Sequence, residues 1–293
     1  MTYRSVFAPG LFEGTTVLVT GAGSGLGRCT AHELAALGAD VVLVGRTREK
    51  LQSTCDEIVA DGGSVSLHAL DIRDEDAVVA MVDAVVTDRG HIHGLVNNAG
   101  GQYRSALKDI STKGFEAVVR TNLTGGFIVM REVYNRTMAQ HGGSIVNTIA
   151  DIWNGWPNFA HSAAARGGMH TLTESAAAEW AESGVRVNSV APGSIATSGL
   201  DTYDAKDRSF IQHEVTTGIP LQRFGTEAEV SAAIVFLLSP AAGFITGSCL
   251  RVDGGAPNAR AGWIQLQPVS NDQPFEGFHR SGAPQILADL NPS

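Results

Sequence analysis

A chain of 293 residues that is 43% hydrophobic can fill one large core, and it is short for two ordinary domains with a linker. Its 21 Lys and Arg against 30 Asp and Glu give a formal net charge of -9, which repels a polyphosphate backbone and argues against nucleic acid as a partner. The N-terminal "MTYRSVFAPGLFEG" lacks the apolar core of a signal peptide, the longest wholly apolar run (Ala232 to Leu238) is too short to span a bilayer, and the scattered Cys29, Cys55 and Cys249 have no ligand spacing, so a cytoplasmic protein without membrane span, disulfides or metal is expected.

In chain order, β-branched runs alternate with longer helical patterns. "TVLVT" (16–20) is the first predicted strand, followed by a helix over 25–37. "DVVLV" (40–44) and a helix over 47–61 come next, then "SVSLHAL" (64–70) and a helix over 75–87. "GLVNN", "SIVNT" and "VRVNSV" are further strands. Apolar runs of this kind suit strands buried on both faces, and the strand-helix alternation predicts a single-domain α/β fold, a doubly wound, mostly parallel sheet with helices on both faces. After "LRVDGGA" the composition changes. Residues 256–293 carry prolines, polar residues and isolated aromatics (Trp263, Phe275, Phe278), and read as an extension that packs on the surface or on a neighbouring subunit.

The first strand runs into "TGAGSGLG", which sets Gly21, Gly25 and Gly27 at a tight turn opening a helix. Glycines let a backbone approach a pyrophosphate, and a helix N-terminus favours its charge. The second strand ends in Gly45-Arg46, where selection of an unphosphorylated ribose calls for an acid. Arg46 points instead to a 2'-phosphate, hence NADP (NADPH) in preference to NAD. Asp71, ending the third strand, suits an adenine; a loop-capping aspartate is the plain alternative.

"TGAGSGLG", "NNAG" (97–100), Thr121-Asn122, "APGSIAT" (191–197) and "VDGG" (252–255) together resemble, in order and spacing, the short-chain dehydrogenase/reductase family over about residues 11–255. The resemblance implies a Rossmann-like sheet binding a nicotinamide dinucleotide at the C-terminal strand ends. It also implies cofactor contacts from Gly21, Ser24, Gly25, Leu26 and Gly27, from Asp71 and Ile72, from Asn98 and Gly100, and from Pro192, Gly193, Ile195 and Thr197. Homotetramers or homodimers are usual in the family.

The family's proton-transfer machinery is a serine after the fifth strand and a Tyr-x-x-x-Lys on the next helix. Here the strand runs into "IADIWNG", and "HSAAARGG" (161–168) sets Ser162 at the tyrosine position and Arg166 at the lysine position. The other register pairs His161 with Ala165 and loses the cation. Arg166 can hold ribose hydroxyls but cannot exchange a proton near neutrality. Ser162 can donate one hydrogen bond, Asn122 can order a relay, and Asp151 and His161 are the nearby titratable candidates.

The wider stretch resembles the branch holding the trans-2-enoyl-CoA and 2,4-dienoyl-CoA reductases and the bacterial citronellol/citronellal dehydrogenases. Hydride addition to a conjugated thioester tolerates a missing tyrosine, because charge spreads into an enolate. With Arg104, Lys108 and Lys113 offered to coenzyme A phosphates, an NADPH-dependent enoyl thioester reductase is the first expectation. Oxidation of an acyclic terpenoid alcohol, with Asp151 or His161 as base, is the second. A catalytically weakened NADP(H)-binding member is the third.

Overall fold

The computed structural model describes residues 2–259, 266, 269 and 272–289; Trp263 lies outside them. Seven strands form one parallel sheet in the order β3-β2-β1-β4-β5-β6-β7. They are β1 (Thr16–Thr20), β2 (Asp40–Gly45), β3 (Ser64–Ala69), β4 (Gly94–Asn97), β5 (Gly143–Thr148), β6 (Val185–Pro192) and β7 (Cys249–Val252). Every residue of β1 is buried, which is why its sequence is a continuous apolar and β-branched run rather than an alternating one.

Among the described residues ten α-helices cover the two faces and the sheet's C-terminal edge: α1 (Gly25–Ala36), α2 (Arg48–Ala60), α3 (Glu75–Arg89), α4 (Thr112–Val119), α5 (Gly126–Val133), α6 (Ala139–His141), α7 (Ala160–Glu179), α8 (Ala205–Gly218), α9 (Glu227–Leu238) and α10 (Gln285–Ala288). Side chains alternate along β1, so Val17 and Val19 pack with Leu34 of α1 and Ile234 of α9, while Leu18 packs on the other face with Val78 of α3, Val129 of α5 and Ala176 of α7. Two helical faces therefore bury one sheet, the doubly wound Rossmann-like arrangement. The strand order reverses at β1, where β4 lies on the side opposite β2, opening a crevice at the C-terminal ends.

The described part of the C-terminal extension is tied to this frame. Phe278 is buried against Tyr3, Cys29 and Ala228, with the Arg28 guanidinium over its ring. Arg280 donates to Asp61 through Nη2 (2.7 Å) and Nε (3.0 Å), which together hold the Asp61 carboxyl below its ordinary range. Further on, Ile286 of α10 is buried with Val215, Ile219 and Phe224, and Gln212 of α8 donates to the Ile286 carbonyl (2.7 Å). The extension thus buttresses α8, the helix whose Ile211 and Glu214 reach the cavity described next.

Candidate active site

The strand-to-helix turn after β1 is built by close approach. Gly21 has φ +68, and a Cβ there would stand 2.9 Å from Asn98 Nδ2 and 3.0 Å from the Ala99 backbone. A Cβ on Gly27 would stand 2.4 Å from the Gly21 carbonyl oxygen. The turn is locked onto β4 by buried Thr20, whose Oγ1 accepts from the Asn98 and Ala99 N–H groups (both 2.9 Å), while Asn98 Nδ2 donates to the Thr20 carbonyl (3.0 Å). Those bonds set "NNAG" beside the glycine loop.

Two cavities meet along this edge, with Asn98 and Gly100 in the walls of both. The first, about 290 Å³, is lined by Gly21, Ser24, Arg46, Asp71 and Ile72, together with Lys50, a second cation that the sequence reading did not single out. The second, about 340 Å³, is lined by Leu26, Arg166, Pro192, Gly193, Ile195 and Thr197. A Cβ on Gly25 would have no neighbour nearer than Thr197 Cβ at 3.9 Å, which leaves the mouth of α1 open. Asp71 is already engaged: both its oxygens accept from Arg73, which with the Arg73 N–H bond holds its carboxyl low, so an adenine has to share those oxygens.

Arg166 is held from two sides. Its Nη1 donates to the Thr148 carbonyl at the end of β5 (2.6 Å), and its Nη2 lies so close over Gly100 that a Cβ there would be 2.2 Å away. Burial lowers its pKa to about 10, which leaves it charged at neutral pH, and among the described residues it pairs with no carboxylate. A cavity cation that no carboxylate contacts is a site for hydroxyls or an anion supplied from outside. This guanidinium, the open mouth of α1 and the glycine cradle together fit a nicotinamide dinucleotide.

The remaining expected site residues divide differently. Asn122, Asp151, His161 and Ser162 line neither cavity. Asn122 sits in a π-helical turn (Arg120–Gly125) between α4 and α5, the kind of wide turn that recurs at functional sites. Its Oδ1 accepts from Gly101 N (2.8 Å) and its Nδ2 donates to Gly101 O (3.0 Å), clamping the loop beyond Gly100. Ser162 is fully buried and its Oγ donates to Gln102 Oε1 (2.7 Å), so it offers no free proton to the cavity. His161 is buried against the edge of Tyr103 (4.5 Å between centroids), and its Nδ1 accepts from Ser162 N (2.9 Å).

Asp151 follows Ala150, which lines the larger cavity, but is not itself among the lining residues. Chain pairing with β6 continues past Thr148, with Asp151 N donating to Pro192 O (3.2 Å), and the carboxyl interacts with Asp253 and Arg251 at the β7 end. Its pKa is raised, first by burial and then by the Asp253 charge, but away from the cavity wall. Of the three cations offered to coenzyme A phosphates, two have acidic partners within the chain. Arg104 pairs with Asp207 and lies over Phe210, and Lys108 pairs with Asp109 (2.9 Å). Lys113 lies beside a separate groove with Arg73 and Arg120. His170 and Glu174 approach at 3.8 Å on α7.

Sequence reasoning missed the far wall of the larger cavity. Trp156 and Phe159 precede α7, and Tyr203 and Glu214 come from the segment folded over the strand ends. Phe159 meets the Tyr203 ring edge-on (6.2 Å, 88°). Glu214 has a raised pKa because burial outweighs the nearby Arg104 and His213 charges.

Among the described residues no group of side chains could hold a metal ion, and no helix is long and apolar enough to cross a membrane. Residues 21–257 match the family described as Enoyl-(Acyl carrier protein) reductase. The chain is 35% identical over 260 residues to the peroxisomal 2,4-dienoyl-CoA reductase [(3E)-enoyl-CoA-producing] of Danio rerio, covering 87% of this chain and 85% of that protein. It is 37% identical over 251 residues to the gluconate 5-dehydrogenase of Gluconobacter oxydans, covering 84% and 97%. Its structure superposes on that of the citronellol catabolism dehydrogenase (AtuB) of Pseudomonas aeruginosa PAO1 with a TM-score of 0.79 and 58% identity, covering 87% of this chain and all of that one. With its sheet order, glycine turn and strand-end cavity, the chain is an oxidoreductase belonging to the short-chain dehydrogenase/reductase family.

Proposed function

We propose that the protein is a cytoplasmic, homo-oligomeric NADP(H)-dependent oxidoreductase whose substrate is a compact apolar molecule with one oxygen function, of the acyclic terpenoid (citronellol or citronellal) class. The observation that carries this reading is the cavity itself. Arg166 is its fixed cation beside Gly100, and Trp156, Phe159, Ile195, Leu200 and Ile211 make an apolar wall. Such a wall favours a branched hydrocarbon by burial, at about 25 cal/mol per Å². The 58% identity to a protein named for citronellol catabolism supports the same class.

Arg166 would hold the nicotinamide ribose, and Arg46 with Lys50 would meet a 2'-phosphate. The dinucleotide supplies or accepts the hydride. The chain's own residues hold, orient and exclude water. Arg46→Asp is expected to reverse cofactor preference, weakening NADPH by about 1.5–3 kcal/mol, the worth of a charge-assisted contact, while NADH binds as well or better. Equal affinity of the parent for both dinucleotides in a fluorescence titration would remove the argument from Arg46.

Reduction of an enoyl thioester is the second reading. It is favoured by the absence of the tyrosine from α7 and by the relatives named 2,4-dienoyl-CoA reductase. It stands second because two of the three cations offered to coenzyme A, Arg104 and Lys108, are paired within the chain, and Lys113 lines a separate groove. Purified protein should reduce NADP with citronellol or geraniol, or oxidise NADPH with citronellal, faster than it oxidises NADPH with crotonyl- or hexenoyl-CoA. The opposite order of kcat/KM would replace the first reading by the second.

A further inference from the structure

A family member without a tyrosine on α7 still needs a donor for the substrate's oxygen, and one row of hydrogen bonds leads to it. Its direction is fixed at the start by the backbone. Gly101 N donates to Asn122 Oδ1 and Gly101 O accepts from Asn122 Nδ2, so the amide has one orientation. The same Nδ2 reaches Ser162 Oγ (3.5 Å), and Ser162 Oγ in turn donates to Gln102 Oε1 (2.7 Å). With Oε1 taken as acceptor, the other end of Gln102 is a donor, and Gln102 and Tyr203 stand in the wall of the same cavity, where the Gln102 amide opposes the rise in the phenol's pKa. From Gly101 to Gln102 each group receives from behind and gives forward, and Gln102 Nε2 is left to donate onward. The last O–H in the row belongs to Tyr203, which lines the cavity.

We propose that Tyr203 is the hydrogen-bond donor that holds the substrate's oxygen, with Gln102 and Ser162 as positioning residues behind it. The proposal rests on the reading above that the cavity takes an oxygen-bearing substrate. Burial is the largest influence on the phenol and raises its pKa above 10, with Asp207 adding to it and Gln102 opposing. The hydroxyl therefore stays protonated through the neutral range and acts as a donor rather than a base. Aligned donors polarise one another, which strengthens the terminal O–H toward an oxygen that gains negative charge. An amide does not pass protons along, so Gln102 orients Tyr203 without connecting it to Ser162 as a relay. The residue that sets oxygen recognition thus comes from the segment before α8, not from α7.

The test compares citronellol with its hydrocarbon counterpart 2,6-dimethyl-2-octene, binding to the parent, Tyr203→Phe and Gln102→Leu, read by quenching of Trp156 in the cavity without added cofactor. The parent is expected to prefer the alcohol by about 3- to 10-fold, the worth of one net hydrogen bond. Tyr203→Phe should abolish that preference with hydrocarbon affinity unchanged, and Gln102→Leu should reduce it. The phenyl ring keeps the Phe159 contact, so the variant should melt at the parent temperature. In turnover, Tyr203→Phe should lower kcat more than it raises KM. A Tyr203→Phe protein that retains the alcohol preference overturns the proposal. Binding of neither compound to the parent overturns the terpenoid reading instead; the same comparison with the N-acetylcysteamine thioester of hexenoic acid and its alkyl sulfide then decides the role of Tyr203, on the same criterion.

Discussion

Arg166→Ala is expected to lower cofactor affinity by about 1.5–3 kcal/mol, roughly ten- to a hundredfold, with kcat falling alongside, because the guanidinium contributes charge-assisted bonds to the bound dinucleotide. The same substitution should not lower the melting temperature. In the folded chain Arg166 donates to one carbonyl, has no carboxylate partner among the described residues, and carries a desolvation cost visible as a pKa lowered to about 10. The sign of the linkage follows: the folded state holds this proton less tightly than the unfolded state. The cost is thus fully present below pH about 10 and is relieved only as pH rises above that toward the ordinary guanidinium value, outside any working range. Loss of binding without loss of stability is the signature of a residue kept for its ligand. Arg166→Lys should recover part of the affinity, since an ammonium supplies the charge without the fork. Isothermal titration with NADPH and a thermal melt check both halves; an Arg166→Ala protein that binds NADPH like the parent would show that the guanidinium is structural.

What the sequence disclosed about this site depended on how local the signal was. The glycine turn, "NNAG" and strands β1 to β6 were legible because each needs only its own residues: apolar or β-branched runs for strands, glycines where backbone meets backbone. β7 was not read as a strand, since Cys249–Val252 is both short, at four residues, and at the sheet edge. Asp151 was expected at the nicotinamide because it follows the fifth strand, but continued pairing with β6 carries it past the cavity toward Asp253. Tyr203 had no local signal at all. It reaches Gln102 only because the segment around α8 folds back over the strand ends, an arrangement fixed by the Arg104–Asp207 pair and by the seat of Ile286 beneath α8. Arg104 was read as a phosphate ligand from its charge alone, and only its partner reveals that the charge is spent inside the chain.

Gly27→Ala is the expected structural loss of function. Ordinary helix propensity argues for the change, since alanine in a helix is favoured over glycine by about 1 kcal/mol. Sterics argue against it more strongly. The new Cβ would stand 2.4 Å from the Gly21 carbonyl oxygen, 2.8 Å from its carbon and 2.7 Å from Asn98 Nδ2, so two of the three obstacles are backbone atoms without a rotamer to change. Relief requires α1 to move away from β1, and that motion pulls Asn98 from the Thr20 carbonyl it bonds at 3.0 Å. Overpacking of this kind costs about 1–3 kcal/mol, so a melting temperature lower by several degrees is expected. Affinity for NADPH should fall further than stability does, because the displaced atoms are those that shape the phosphate cradle. Gly25→Ala separates the two effects: its Cβ meets nothing closer than 3.9 Å, and its cost is the strain of φ +55, about 1–2 kcal/mol. If Gly27→Ala melts with the parent and binds NADPH as tightly, the close packing of α1 against the β1 turn does not shape the cofactor site.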